Sequence, residues 1–187
     1  MIPPVSYEES FMVLPNPTSP PNILLVEDNA AHAAVFQRLL HDCAPGTALD
    51  HVTNGRDAVE HLRRLADGGN GGADAALPDV IILDVRLPQL DGFGVLAEIR
   101  ADRRLRHLPV VMLSTSAEPQ DVDRSYELGA NAYMAKPDDY HLMAQRVAAL
   151  HAFWIDAACL PSQRHNGGHD DPQGDFFHRP YHDAGSD

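Results

Sequence analysis

Val80-Ile81-Ile82-Leu83-Asp84 is the stretch on which the fold turns. Four apolar residues in a row, three of them β-branched, suit a strand buried on both faces. A carboxylate closes the run. Working outward, the same pattern recurs: Ile23-Leu24-Leu25-Val26 is closed by Glu27-Asp28, and Val110-Val111-Met112-Leu113 by Ser114. Residues 48–52 and 132–135 read as two shorter strands, the second followed by Lys136. Helical spacing fills the gaps. Val35, Phe36, Leu39 and Leu40 mark a helix over about 29–41, capped by Asp28 or Asn29. Asn54-Gly55 turns the chain into a second helix carrying Ala58, Val59, Leu62 and Leu65. Phe93, Leu96 and Ile99 stripe a third over about 92–101, and Gly129 stops a fourth over about 118–128. A long last helix is predicted over about 138–158. Strands alternating with helices predict a doubly wound α/β fold, a parallel five-stranded sheet with helices on both faces.

The chain has 187 residues, enough for one domain with a real core. Its net charge of -13 argues against a nucleic-acid surface, which needs clustered Lys and Arg, and against an anionic membrane. No stretch approaches the roughly 20 apolar residues of a membrane helix. Residues 1–21 hold six prolines, with Glu8 and Glu9 where a signal peptide would be basic, and are expected to be a flexible leader. Residues 22–160 are expected to fold, and 161–187 to form a disordered polar tail holding four of the eleven histidines. Gly68-Gly69-Asn70-Gly71-Gly72 reads as a loop; it follows a helix rather than a strand, so it is given no phosphate-binding role. Cys43 and Cys159 read as reduced thiols, and the expected compartment is the cytoplasm.

In doubly wound sheets, ligands sit outside the carboxyl ends of the strands. Glu27, Asp28, Asp84, Ser114 and Lys136 each follow an apolar run, so all five are expected around one crevice. Carboxylates gathered there repel one another and raise each other's pKa unless a cation joins them. Hard oxygen donors suit Mg2+ or Mn2+. A carboxylate beside such an ion is a competent nucleophile toward phosphorus. Lys136 and the Ser114 hydroxyl supply a point charge and a hydrogen bond for phosphoryl oxygens.

Glu27-Asp28-Asn29, Leu83-Asp84 with Pro88 and Asp91-Gly92, Ser114, and Lys136-Pro137 together resemble the receiver domain of two-component response regulators. The resemblance covers about residues 22–160. It implies a flavodoxin-like (βα)5 sheet in strand order 2-1-3-4-5, with Asp84 as phosphoacceptor for a sensor histidine kinase. Glu27, Asp28 and Asp84, with the backbone oxygen of Arg86, would hold the metal. Ser114 would be the switch hydroxyl, with Thr115 and Ser116 as neighbouring alternatives, and Tyr133 the switch aromatic. Arg86 and Ser116 would tune dephosphorylation. The Lys136–Pro137 peptide bond is often cis in this family. The activity implied is Mg2+-dependent self-phosphorylation and autodephosphorylation, not enzymatic turnover of a separate substrate.

The end of the last helix, His151-Ala152-Phe153-Trp154-Ile155 with Leu160-Pro161, resembles the single-domain regulators that serve phytochromes and bacteriophytochromes. Val147, Leu150, Phe153 and Trp154 are expected on a partner face, with a homodimer through the fourth helix, fifth strand and fifth helix. Two other readings of the same fold remain at this point: a module that never carries phosphate, or a phosphate sink, and a flavin carrier. The acidic start of the loop after the first strand opposes the flavin reading, because that loop would repel an unaccompanied phosphate.

Overall fold

The computed structural model describes residues 20–68 and 76–160. The expected leader and polar tail, and most of the Gly-rich loop, lie outside the described residues. Five strands and five helices alternate: β1 (Asn22–Val26), α1 (Ala30–Cys43), β2 (Ala48–Val52), α2 (Gly55–Ala66), β3 (Val80–Asp84), α3 (Gly92–Ala101), β4 (Val110–Ser114), α4 (Pro119–Glu127), β5 (Ala132–Ala135) and α5 (Tyr140–His151). The strands form one parallel sheet in the order β2-β1-β3-β4-β5, as the resemblance implies.

The apolar runs become the three central strands because both of their faces are covered. Successive side chains point to opposite faces. Leu24, Val26, Ile81, Leu83, Val110 and Met112 therefore pack on one side with Leu62 of α2 and Leu96 and Ile99 of α3. Ile23, Leu25, Ile82, Val111 and Leu113 pack on the other with Phe36 and Leu40 of α1 and Met143 of α5. Each such side chain contributes about 1.5–3 kcal/mol on burial, so the sheet core outweighs any single helix propensity. β2 is an edge strand and is only partly buried, which matches its mixed composition.

Local chemistry sets the helix starts. Asn29 caps α1, its side chain accepting from the amides of Ala31 and His32. Asn54 caps α2 through the Asp57 amide, Asp91 caps α3 through the Gly94 amide, and Asp139 caps α5 through the Leu142 amide. Gly55 and Gly92 answer to space rather than to turn geometry. A Cβ on Gly92 would lie 2.2 Å from the Asp84 carbonyl oxygen, and one on Gly55 would lie 2.0 Å from the Leu90 carbonyl oxygen. Gly92 thus lets α3 begin directly against the end of β3, where its amide donates to the Val85 carbonyl at 2.9 Å.

Three expectations are corrected. The last helix does not run unbroken over 138–158: α5 ends at His151 and continues as a π-helical turn, Ala152–Ala157. There the Ala158 amide reaches back to the Phe153 carbonyl at 2.8 Å. The wider turn seats Trp154 and Ile155 against the core beside α1. Next, Val147 and Leu150 do not lie on a partner face. They are buried under α5, while Phe153 is 57% exposed. Spacing explains this: Met143, Val147, Leu150 and Trp154 make one stripe at helical period, and that stripe faces the sheet. Finally, the Lys136–Pro137 bond is trans, the form X–Pro bonds favour by about 0.5–1 kcal/mol where no tight turn demands the other.

Candidate functional site

The carboxyl end of the sheet gathers the predicted side chains. β1 and β3 are neighbours, paired Val26 to Leu83, so Glu27 and Asp84 emerge side by side. Carboxylate oxygens of Glu27, Asp28 and Asp84 lie within 4.8 Å of one another. Glu27 and Asp84 are buried; Asp28 is exposed. From the end of β5, Lys136 reaches across to both buried acids. Its Nζ donates to Glu27 Oε2 at 2.5 Å and to Asp84 Oδ1 at 2.8 Å. Its side chain is 8% exposed, so these contacts form away from bulk water, where charge pairing is strong.

Asp84 Oδ2 accepts the Arg86 amide at 3.3 Å, which fixes the carboxylate plane. Burial pushes the Asp84 carboxyl above its ordinary value, and the charge of Glu27 adds a smaller push; Lys136 and the Arg86 amide pull the other way. Desolvation therefore outweighs the mutual repulsion expected from sequence. The donor set fits a hard divalent cation: carboxylate oxygens at close range, with the solvent-facing Asp28 leaving room for waters.

Ser114 closes β4 and is fully buried. Its carbonyl accepts the Lys136 amide at 2.6 Å, tying the hydroxyl-bearing strand end to the lysine-bearing one. Its Oγ accepts the Ser116 amide at 3.1 Å. Thr115, by contrast, is exposed and lines a cavity of about 260 Å³ with Lys136, His32, Val35 and Tyr140. Tyr133 is half-buried in β5, and its hydroxyl donates to the Ser116 carbonyl at 2.8 Å. The loop after β4 is thus held from both sides, by Ser114 and by Tyr133.

Two histidines went unread in the sequence. His32, on the first turn of α1, places Nδ1 3.2 Å from Glu27 Oε1. His51, near the end of β2, places Nε2 2.9 Å from the Glu27 carbonyl oxygen. For His51 a signal existed: it sits one residue before Val52, which pairs with Val26, so it belongs at the same rim.

Comparison with known proteins settles the family. Residues 23–148 match the model of the response regulator receiver domain. The chain belongs to the response regulator receiver family. Among its relatives, the response regulator Rcp1 of Synechocystis sp. is 34% identical over 146 residues, covering 78% of this chain and 97% of Rcp1. A probable methanogenesis regulatory protein, FilR2, of Methanothrix harundinacea is 35% identical over 133 residues, covering 71% of this chain and 83% of FilR2. The crystal structure of the phosphorylated cyanobacterial phytochrome response regulator RcpA superposes with a TM-score of 0.69 at 38% identity, covering 77% of this chain and all of RcpA. The Mn2+-bound form of Rcp1 gives 0.68 at 34% identity, covering 76% of this chain and all of that one. This receiver is therefore related to phytochrome-associated response regulators. Among its described residues no helix is long and apolar enough to cross a membrane.

Proposed function

We propose that this receiver accepts a phosphoryl group on Asp84 from a sensor histidine kinase, in a reaction that requires Mg2+ or Mn2+. One observation carries the reading: Lys136 Nζ sits 2.8 Å from a buried Asp84 oxygen, with two more carboxylates within 4.8 Å. An Asp84 oxygen attacks the phosphorus of a phosphohistidine. A P–O bond forms, the P–N bond breaks, and its electron pair leaves with the imidazole.

Asp28 and Asp84, with the Arg86 carbonyl and the nearby Glu27, would hold the cation, which supplies charge neutralisation for the incoming phosphoryl group. Lys136 releases Asp84 and pairs with a phosphoryl oxygen. Ser114 gives up the Ser116 amide and donates its hydroxyl to another. Tyr133, bonded to the Ser116 carbonyl, carries that shift into β5 and on toward α5. Arg86 and Ser116, flanking the acceptor and the hydroxyl, set the access of water that removes the phosphate.

The kinship to Rcp1 and RcpA supports a phytochrome-type kinase as donor and a receiver that acts without an attached output domain. We further propose a homodimer across α4, β5 and α5, with the exposed apolar Phe153 just beyond α5 at its edge. With Val147 and Leu150 buried, the exposed apolar residues there include Leu142 and Ala149 of α5 and Phe153 of the π-helical turn that follows.

Phosphotransfer profiling against purified histidine kinases, light-sensing ones included, tests this reading. Labelling should appear with one kinase, require divalent metal, and vanish with chelator. Labelling that persists in chelator would refute the metal-dependent mechanism.

A further inference from the structure

Lys136 is held at both ends. Its ammonium bonds Glu27 and Asp84, and its amide donates to the Ser114 carbonyl at 2.6 Å. In a trans peptide the carbonyl points opposite to the N–H, so the Ala135 carbonyl of the same peptide group turns away from β4. It faces the outer side of β5, the last strand of the sheet, where among the described residues no further strand pairs with it. Arg146 takes that place. From the second turn of α5 it reaches back across residues 137–139, and its Nη1 donates to the Ala135 carbonyl. The arginine is half-buried, and among the described residues it has no carboxylate partner. The Ala135–Lys136 peptide group is thus gripped on one side by β4 and on the other by α5.

We propose that Arg146 is a positioning residue for Lys136: by clamping the Ala135–Lys136 peptide from α5, it fixes the point from which the lysine side chain extends. The inference rests on the phosphoacceptor reading and adds to it the residue that keeps the lysine in place. A lysine carries its charge on a flexible four-carbon stem, and that freedom must be given up before the charge is useful. Charge stabilisation in a transfer step depends on donors already aimed at the place where negative charge develops. With the peptide free to turn, Nζ would wander among Glu27, Asp84 and water instead of waiting beside the acceptor. The clamp also links α5 to the lysine directly, without passing through Ser114 or Tyr133. Lys136 is the only lysine in the 187 residues, which makes its position separately readable.

The test combines NMR of protein labelled with 13C at lysine Cε, which gives one lysine signal, with the rate of phosphorylation by phosphoramidate at saturating Mg2+. Arg146→Met should move the Lys136 signal toward that of a free lysine and slow phosphorylation several-fold, while Mn2+ affinity by electron paramagnetic resonance does not fall. Arg146→Lys, which keeps a donor, should recover much of the rate. In a Lys136→Met background Arg146→Met should cost nothing further. A residue that merely held the fold would slow both backgrounds alike and loosen Mn2+ binding. An unmoved lysine signal in Arg146→Met overturns the proposal, as does an unchanged rate or an equal slowing in the Lys136→Met background. The lysine signal is read without any phosphodonor. A parent protein that takes up no phosphate would therefore sink the acceptor reading and leave that signal to decide on Arg146.

Discussion

At the scale of single residues, the site is built against stability. Asp84 is a buried acid whose folded-state pKa lies above its ordinary value, chiefly through loss of solvent. The sign of the effect on stability follows. Below the unfolded value of 3.8 the carboxyl is neutral in both states and burial costs little; as pH rises through the higher folded pKa, ionisation opposes folding. Asp84→Asn should thus melt above the parent protein at pH 7 in chelator, and the difference should disappear near pH 3. Metal reverses the order. A cation held at 100 times its Kd adds about 2.7 kcal/mol to the parent, and far less to the variant. Thermal melts with and without Mg2+ check both signs. Gly92 is the other residue under tension with function. An added Cβ would meet backbone, which does not yield as a side chain would. Gly92→Ala should cost about 1–3 kcal/mol in denaturant unfolding, as overpacking does, and should weaken Mg2+ binding because the end of β3 shifts.

Across whole elements, packing is uneven. Among the buried residues of α1, α2, α3 and α5 several are apolar, whereas α4 buries only Ser125, whose hydroxyl donates to the Asp121 carbonyl. α4 is held in part by Arg124, whose guanidinium lies 4.2 Å from the centre of the Phe93 ring on α3. Such a contact is worth about 0.5–1 kcal/mol at an exposed site. An element fastened this lightly opens easily. Amides of α4 should exchange with solvent faster than those of α5, and Arg124→Ala should quicken α4 alone; equal protection in both helices would contradict this. The same unevenness explains what the sequence made legible. Ile23–Val26, Val80–Leu83 and Val110–Leu113 announce themselves because a strand covered on both faces must be apolar throughout, and each run points to the polar residue that ends it. The function of Gly92 was hidden because its reason is a carbonyl eight residues earlier. The end of α5 was misjudged because an apolar stripe looks alike whether a sheet or a second chain covers it. His32 was missed for a third reason: its partner is Glu27, and nothing local to the histidine names it, whereas the place of His51 near the end of β2 did point to the rim.

For the molecule as a whole, chemistry at one rim must reach a surface. The hydrogen-bonded path runs from Lys136 and Ser114 through the Ser116 backbone to Tyr133, and β5 leads into α5. Beyond α5, the π-helical turn presents Phe153 to solvent, packed edge-on against Trp154 with ring centres 5.0 Å apart. If α5 and the turn after it form the dimer face, Phe153→Ser should raise the concentration at which dimers form at least tenfold, given that a central aromatic anchor commonly contributes about 2 kcal/mol or more. Sedimentation equilibrium over a concentration series measures it; a parent protein that stays monomeric throughout would remove the dimer from the account. None of this long-range coupling matters unless the rim carries a phosphoryl group. The most direct test is to phosphorylate the parent protein in Mg2+ or Mn2+, reduce the acyl phosphate with borohydride, and sequence the peptides by mass spectrometry. Phosphorylation on Asp84 predicts homoserine at position 84 and at no other aspartate. An unmodified Asp84, or homoserine formed at Asp28 instead, would contradict it.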